Sequence, residues 1–136
     1  MAIVAGVSAG CGKVDPCGNE VISRTSSPSG EQQVIVFQRD CGATTGFSTQ
    51  VSVLPSTEIF LERPTVWAAT DSGNVLVIDS DRGAAPAGPG GGPAVAVKWR
   101  DDHTLLLAYH PRARAASAAN EVGQVRVVHE RRLDVR

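Results

Sequence analysis

The chain contains no run approaching the roughly 20 apolar residues that a membrane-spanning helix requires, which excludes such a helix. Aromatic residues are scarce, at 4% of 136 positions, so any core must rest on Val, Leu, Ile and Ala. There is no excess of charge of one sign. The formal net charge of -1 excludes a general electrostatic grip on nucleic acid. The three cysteines form no Cys-x-x-Cys pair. His103, His110 and His129 show no His-x-x-x-His grouping, so the zinc signature is missing and neither a metal nor a cofactor is expected. No repeat of solenoid length is present.

What is present is a succession of short β-branched runs. Residues 19–24, 33–39, 49–54, 74–79, 94–99, 104–109 and 123–131 carry strand character. Val51 and Val53 alternate with Gln50 and Ser52, and Val125, Val127 and His129 share one side. Turn chemistry separates the runs: Ser27-Pro-Ser-Gly30, Asp71-Ser-Gly-Asn74 and the tight link Arg100-Asp-Asp-His103, which makes residues 94–109 a hairpin. Residues 83–93 are rich in Gly, Ala and Pro and are read as a flexible surface loop inside one domain. Residues 112–120 are Ala-rich and fit either a short helical piece or a loop. The expected fold is all-β: a single antiparallel curved sheet, or a small sandwich, of about six to seven strands arranged as a blade-like meander.

Charge is unevenly distributed. Five basic and nine acidic side chains precede Lys98, whereas eight basic and five acidic ones follow from it, and this is read as solvated surface charge. Residues 1–11 form an apolar, small-residue leader. Ser8-Ala9-Gly10-Cys11 resembles the bacterial lipobox, which implies lipidation at Cys11. The resemblance departs at Ser8, where Leu or Val is usual, and in lacking a basic region. Residues 12–136 then form one β domain. With Cys11 lipidated, Cys17 and Cys41 remain as an even pair. A bridge between them closes a loop worth about 3 kcal/mol of unfolded-state freedom and fits an oxidising compartment. The alternative is two unpaired thiols in a cytosolic protein.

The loop Cys41-Gly-Ala-Thr-Thr-Gly46 is small and polar. It lacks the Gly-Lys-Thr/Ser ending of a P-loop. It reads either as an anion-binding nest or as a pinned hairpin loop shaped by Gly and Thr. Residues 27–37, Ser-Pro-Ser-Gly-Glu-Gln-Gln-Val-Ile-Val-Phe, resemble the opening hairpin of a propeller blade of the periplasmic TolB type. Together with Asn19, Asp40-Cys41-Gly-Ala-Thr-Thr-Gly-Phe47 and the following strand, they are similar to a family of small bacterial proteins of unknown function. Many members carry an export signal or lipobox. The similarity runs from about Cys17 to Tyr109 and departs at Ser29, in the Gly-rich insert and in the Arg-rich tail. It implies export and an all-β fold, and it brings no activity.

The resulting expectation is a protein of the bacterial cell envelope, periplasmic or on the outer face. It acts as a non-enzymatic binding module without catalytic residues. The interaction loop comprises Arg39, Asp40, Gly42, Thr44, Thr45 and Phe47, and its partner is an envelope protein or cell-wall ligand. Nucleic acid is not a partner, the membrane is reached only through Cys11, and the chain is a monomer. The alternative is a small hydrolase or thiol-dependent enzyme using Cys41 or Asp40 with a histidine.

Overall fold

The computed structural model describes residues 17–41, 47–65 and 70–135. Among them the chain forms nine strands and no helix. These are β1 (Gly18–Ser26), β2 (Gln32–Asp40), β3 (Ser48–Pro55), β4 (Leu76–Asp79), β5 (Val95–Asp101), β6 (Thr104–Tyr109), β7 (Arg114–Ala118), β8 (Glu121–Val122) and β9 (Val125–Arg131). They build a five-stranded sheet in the order β1-β2-β3-β4-β7 and a four-stranded sheet in the order β5-β6-β9-β8. The first four strands are the expected meander, each antiparallel to the next.

The two sheets share one core. Val34, Val36, Val51, Val53, Leu76 and Ile78 from the larger sheet join Leu105, Leu107, Tyr109, Val125 and Val127 from the smaller. Alternation places every second residue of each strand on this inner face. Burying each such aliphatic side chain contributes about 1.5–3 kcal/mol, which compensates for the few aromatics.

β2 is buried on both faces. Ile35 and Phe37 point away from the shared core yet are fully buried. Residues 56–65 and 70–74 form an excursion between β3 and β4 that covers them. Phe60 stacks on Phe37 with ring centroids 4.7 Å apart, and the Arg24 guanidinium lies 5.8 Å from the Phe60 ring. Gly73 lets the excursion settle on the sheet: a Cβ there would lie 2.6 Å from the Leu76 carbonyl oxygen and 2.8 Å from that of Val51. The Gly73 N–H donates to the buried Gln50 Oε1 at 2.7 Å, and Asn74 bonds both backbone groups of Val53 at 2.8 Å. The polar face of β3, Gln50 and Ser52, is thereby buried and satisfied.

Three features depart from the sequence reading. Residues 112–120 contain strand β7 rather than a helical piece or a loop, because pairing with the buried β4 overrides the helix propensity of alanine. β8 makes a two-residue hairpin with β9. β6 and β9 pair in parallel, with Leu105 beside Val127 and Leu107 beside His129, so the smaller sheet is mixed. Within residues 83–93, Ala85, Gly92 and Pro93 are buried. The Thr49 hydroxyl donates to the Pro93 carbonyl at 2.6 Å, which draws the insert against β3.

Candidate functional site

The β1–β2 register ends with Gly18 opposite Asp40. One step further, Cys17 and Cys41 stand opposite each other with Cα atoms 3.9 Å apart and are joined by a disulfide. The expected bridge is present. It fixes both strand ends at the mouth of the loop that follows Cys41, and it removes the Cys41 thiol from nucleophilic chemistry.

Arg39 and Asn19 face one another across the same ladder, on the face that the excursion covers. The Arg39 guanidinium donates through Nη1 to Asn19 Oδ1 at 2.8 Å, Thr70 Oγ1 at 3.1 Å and the Asp71 carbonyl at 3.0 Å. The Asn19 amide donates to the Asp71 carbonyl at 3.0 Å and the Leu61 carbonyl at 3.3 Å. The Asn19 N–H donates to the Glu62 carbonyl at 2.7 Å. The Thr70 hydroxyl donates to the Cys17 carbonyl at 3.1 Å. Asn19 and Thr70 are both 5% exposed, so these bonds form in a region of low dielectric, where they are strong and costly to lose. Arg39, an expected contact residue, acts here as a clasp that ties the excursion to the disulfide end.

The remaining expected site residues divide in two. Asp40 is exposed beside the bridge. Phe47 is 47% exposed and lies against Gly91, where a Cβ would come within 2.9 Å of the ring and the backbone has a φ of 97°. Gly42, Thr44 and Thr45, and Cys11 far upstream, lie outside the described residues. A groove of about 330 Å³ opens at this end, lined by Gly18, Asn19, Glu20, Gln38, Asp40, Glu62 and Arg63. Its carboxylates and single guanidinium suit polar recognition.

The histidines are elsewhere. His103 lies in the β5–β6 turn, His110 follows β6 and His129 is on β9, whereas Asp40 and Cys41 belong to the end of the larger sheet. His129 Nε2 lies 2.8 Å from the Ala119 carbonyl, which can only accept, so Nε2 carries the proton. Nδ1 then accepts from the Tyr109 hydroxyl at 3.0 Å. Burial pushes the Tyr109 phenol above its usual pKa range, although Arg131 pulls the other way; its guanidinium sits 4.5 Å from the centre of the ring. Asp101 and Asp102 serve turns. Asp101 accepts from the His103 N–H at 2.8 Å. Asp102 accepts from the Ser29 N–H at 2.7 Å, and hydrogen bonds from the Ser29 N–H and hydroxyl hold its carboxyl below the usual range. Among the described residues, no group of three or more His, Cys, Asp and Glu side chains is placed to hold a metal ion.

Sequence reasoning marked Asn19 within a resemblance but gave it no role, and it passed over Thr70 and Glu62. The available signal was an Asn at a strand start whose neighbours are polar, which is too common to single out. No family model, curated protein or solved structure matches the chain.

Proposed function

We propose that this chain is a non-enzymatic interaction module of the bacterial cell envelope. It docks an envelope protein or cell-wall ligand through the disulfide-pinned end of its larger sheet. The observation that carries this reading is the Cys17–Cys41 bridge at the mouth of the loop, with exposed Asp40 and half-exposed Phe47 on its two sides. A fixed loop mouth lowers the ordering cost of binding. The bridge favours an oxidising compartment, in keeping with the lipobox-like Ser8-Ala9-Gly10-Cys11. Asp40, Thr44, Thr45 and Phe47 supply the contacts, while Arg39 shapes the surface from beneath.

The test is capture from envelope extracts with the oxidised wild-type chain and the Asp40→Ala, Thr44→Ala double variant. The partner retained by wild type is expected to be lost from the variant at unchanged thermal stability. Equal retention by both would remove the loop from the binding surface.

A further inference from the structure

Alternation along β1 and β2 places Glu20, Gln38 and Asp40 on one face, opposite to that of the Asn19–Arg39 clasp. Glu20 stands beside Gln38 in the register, and Gly18 beside Asp40. Gly18 adds no side chain, and a Cβ there would meet nothing within 4 Å. The groove of about 330 Å³ therefore stays open over the strand end. Glu62 and Arg63 line it from beyond the β1 edge. Glu62 is held there: its carbonyl accepts from the Asn19 N–H at 2.7 Å and its Oε1 from the Val21 N–H at 3.2 Å. Three carboxylates thus face one guanidinium. Among the described residues no three His, Cys, Asp or Glu groups are placed to hold a metal ion, so these carboxylates surround a space and do not converge on a point.

Gln38 lines the same groove. It is 8% exposed, and its side-chain amide makes no hydrogen bond among the described residues. Every wholly buried polar side-chain atom of those residues has a partner, so the small exposure that Gln38 retains includes its amide. The glycine-rich segment passes beside it. A Cβ at Gly90 would lie 2.5 Å from Gln38 Oε1 and 3.0 Å from Ile22 Cδ1, so the side chain is held in place without being satisfied. An amide in this state has a donor and an acceptor to offer.

We propose that this groove binds a short peptide bearing a primary ammonium group. The ammonium sits among Glu20, Asp40 and Glu62, and a peptide unit bonds the Gln38 amide. The inference rests on the docking reading above and gives that surface its ligand chemistry. Three carboxylates against one guanidinium select a cation. A peptide unit matches the donor and acceptor of Gln38. The volume lies at the lower end of small-ligand sites, which suits a short peptide.

Nuclear magnetic resonance titration of the oxidised full chain at low ionic strength tests this, with the tripeptide acetyl-Gly-Lys-Gly-amide as probe. Saturable shifts are expected at the Gln38 side-chain amide and at the backbone amides of Glu20 and Asp40. The same peptide with its lysine acetylated loses the charge and should bind about threefold more weakly. Gln38→Met keeps the volume, deletes the amide and should weaken the lysine peptide roughly fivefold. Gly18→Leu, which fills the open space, should abolish binding at an unchanged melting temperature; if it does not fold, Gln38→Met carries the test. No saturable shift, equal binding of the two peptides, or indifference to Gln38→Met overturns the proposal. Failure of the docking reading looks different. Peptide binding with extract capture insensitive to Asp40→Ala, Thr44→Ala would sink that reading and leave this site standing, whereas sensitive capture without peptide binding would do the reverse.

Discussion

Asn19 Oδ1 and Arg39 Nη1 lie 2.8 Å apart across the β1–β2 ladder, and through this contact the disulfide end of the sheet holds the excursion that covers Ile35 and Phe37. Asn19→Ala deletes a buried acceptor for Arg39 and a donor to the Asp71 and Leu61 carbonyls. Loss of a buried hydrogen-bonding partner costs about 1–3 kcal/mol. Urea denaturation should show the midpoint falling accordingly. An unchanged midpoint would mean that the clasp adds nothing to stability.

The Cys17–Cys41 bridge links residues 24 apart in sequence. A Cys17→Ser, Cys41→Ser double variant should lose about 3 kcal/mol in the chain-entropy account, read as a lower urea midpoint against the oxidised wild type. The rest of the β1–β2 ladder should persist, since eight further register pairs hold it. Far-ultraviolet circular dichroism of the folded variant should therefore match wild type. A variant with no strand signal would show that the bridge is required for folding itself.

Gly73→Ala should be strongly destabilising. The new methyl group would meet backbone atoms of Val51 and Leu76 within 2.9 Å, where no side-chain rotation relieves it, and overpacking of this kind costs about 1–3 kcal/mol. Gly18→Ala is the matched control, since nothing lies within 4 Å of its added Cβ. Similar melting temperatures for the two variants would contradict the close approach of the excursion to β3.

Acid should loosen the fold through Asp102 and Asp79. Hydrogen bonds from Ser29 lower the Asp102 pKa. For Asp79, burial pushes the pKa up, but the hydrogen bonds from Arg114 and the Asp81 N–H outweigh it and leave it lowered. A carboxyl with a lowered pKa in the folded state contributes stability that is present above its unfolded pKa of about 4 and is lost as pH falls through the folded value. Asp102→Asn should flatten the decline of melting temperature below about pH 4. An identical acid profile for variant and wild type would separate Asp102 from acid unfolding.

Much of this architecture was legible where side-chain alternation had a physical cause. Val51 and Val53 opposite Gln50 and Ser52 reported a strand with two different faces, and β5–β6 announced itself through the tight Asp101–His103 link. The Val-Ile-Val-Phe run of β2 carried a signal of double burial, yet the cover that explains it, Phe60 with Gly73, is aperiodic and showed no pattern. β7 was hidden because alanine marks neither face of a strand; pairing with β4 makes it one. The parallel seating of β9 beside β6 depends on the path of residues 110–124, which local propensity does not encode. At the site, the cysteine count pointed to the disulfide, because Cys17 and Cys41 remain as a pair once Cys11 is set aside. The role of Arg39 did not emerge, because its partners Thr70 and Asp71 lie some thirty residues away.

Photocrosslinking in living cells tests the central claim most directly. A photoreactive amino acid is placed at position 40, beside the bridge, and separately at position 124, in the β8–β9 turn at the opposite end of the sandwich. The account predicts a discrete adduct from position 40 and none from position 124. Adducts from position 124 alone, or from neither position, would contradict the assignment of the disulfide-pinned end as the docking surface.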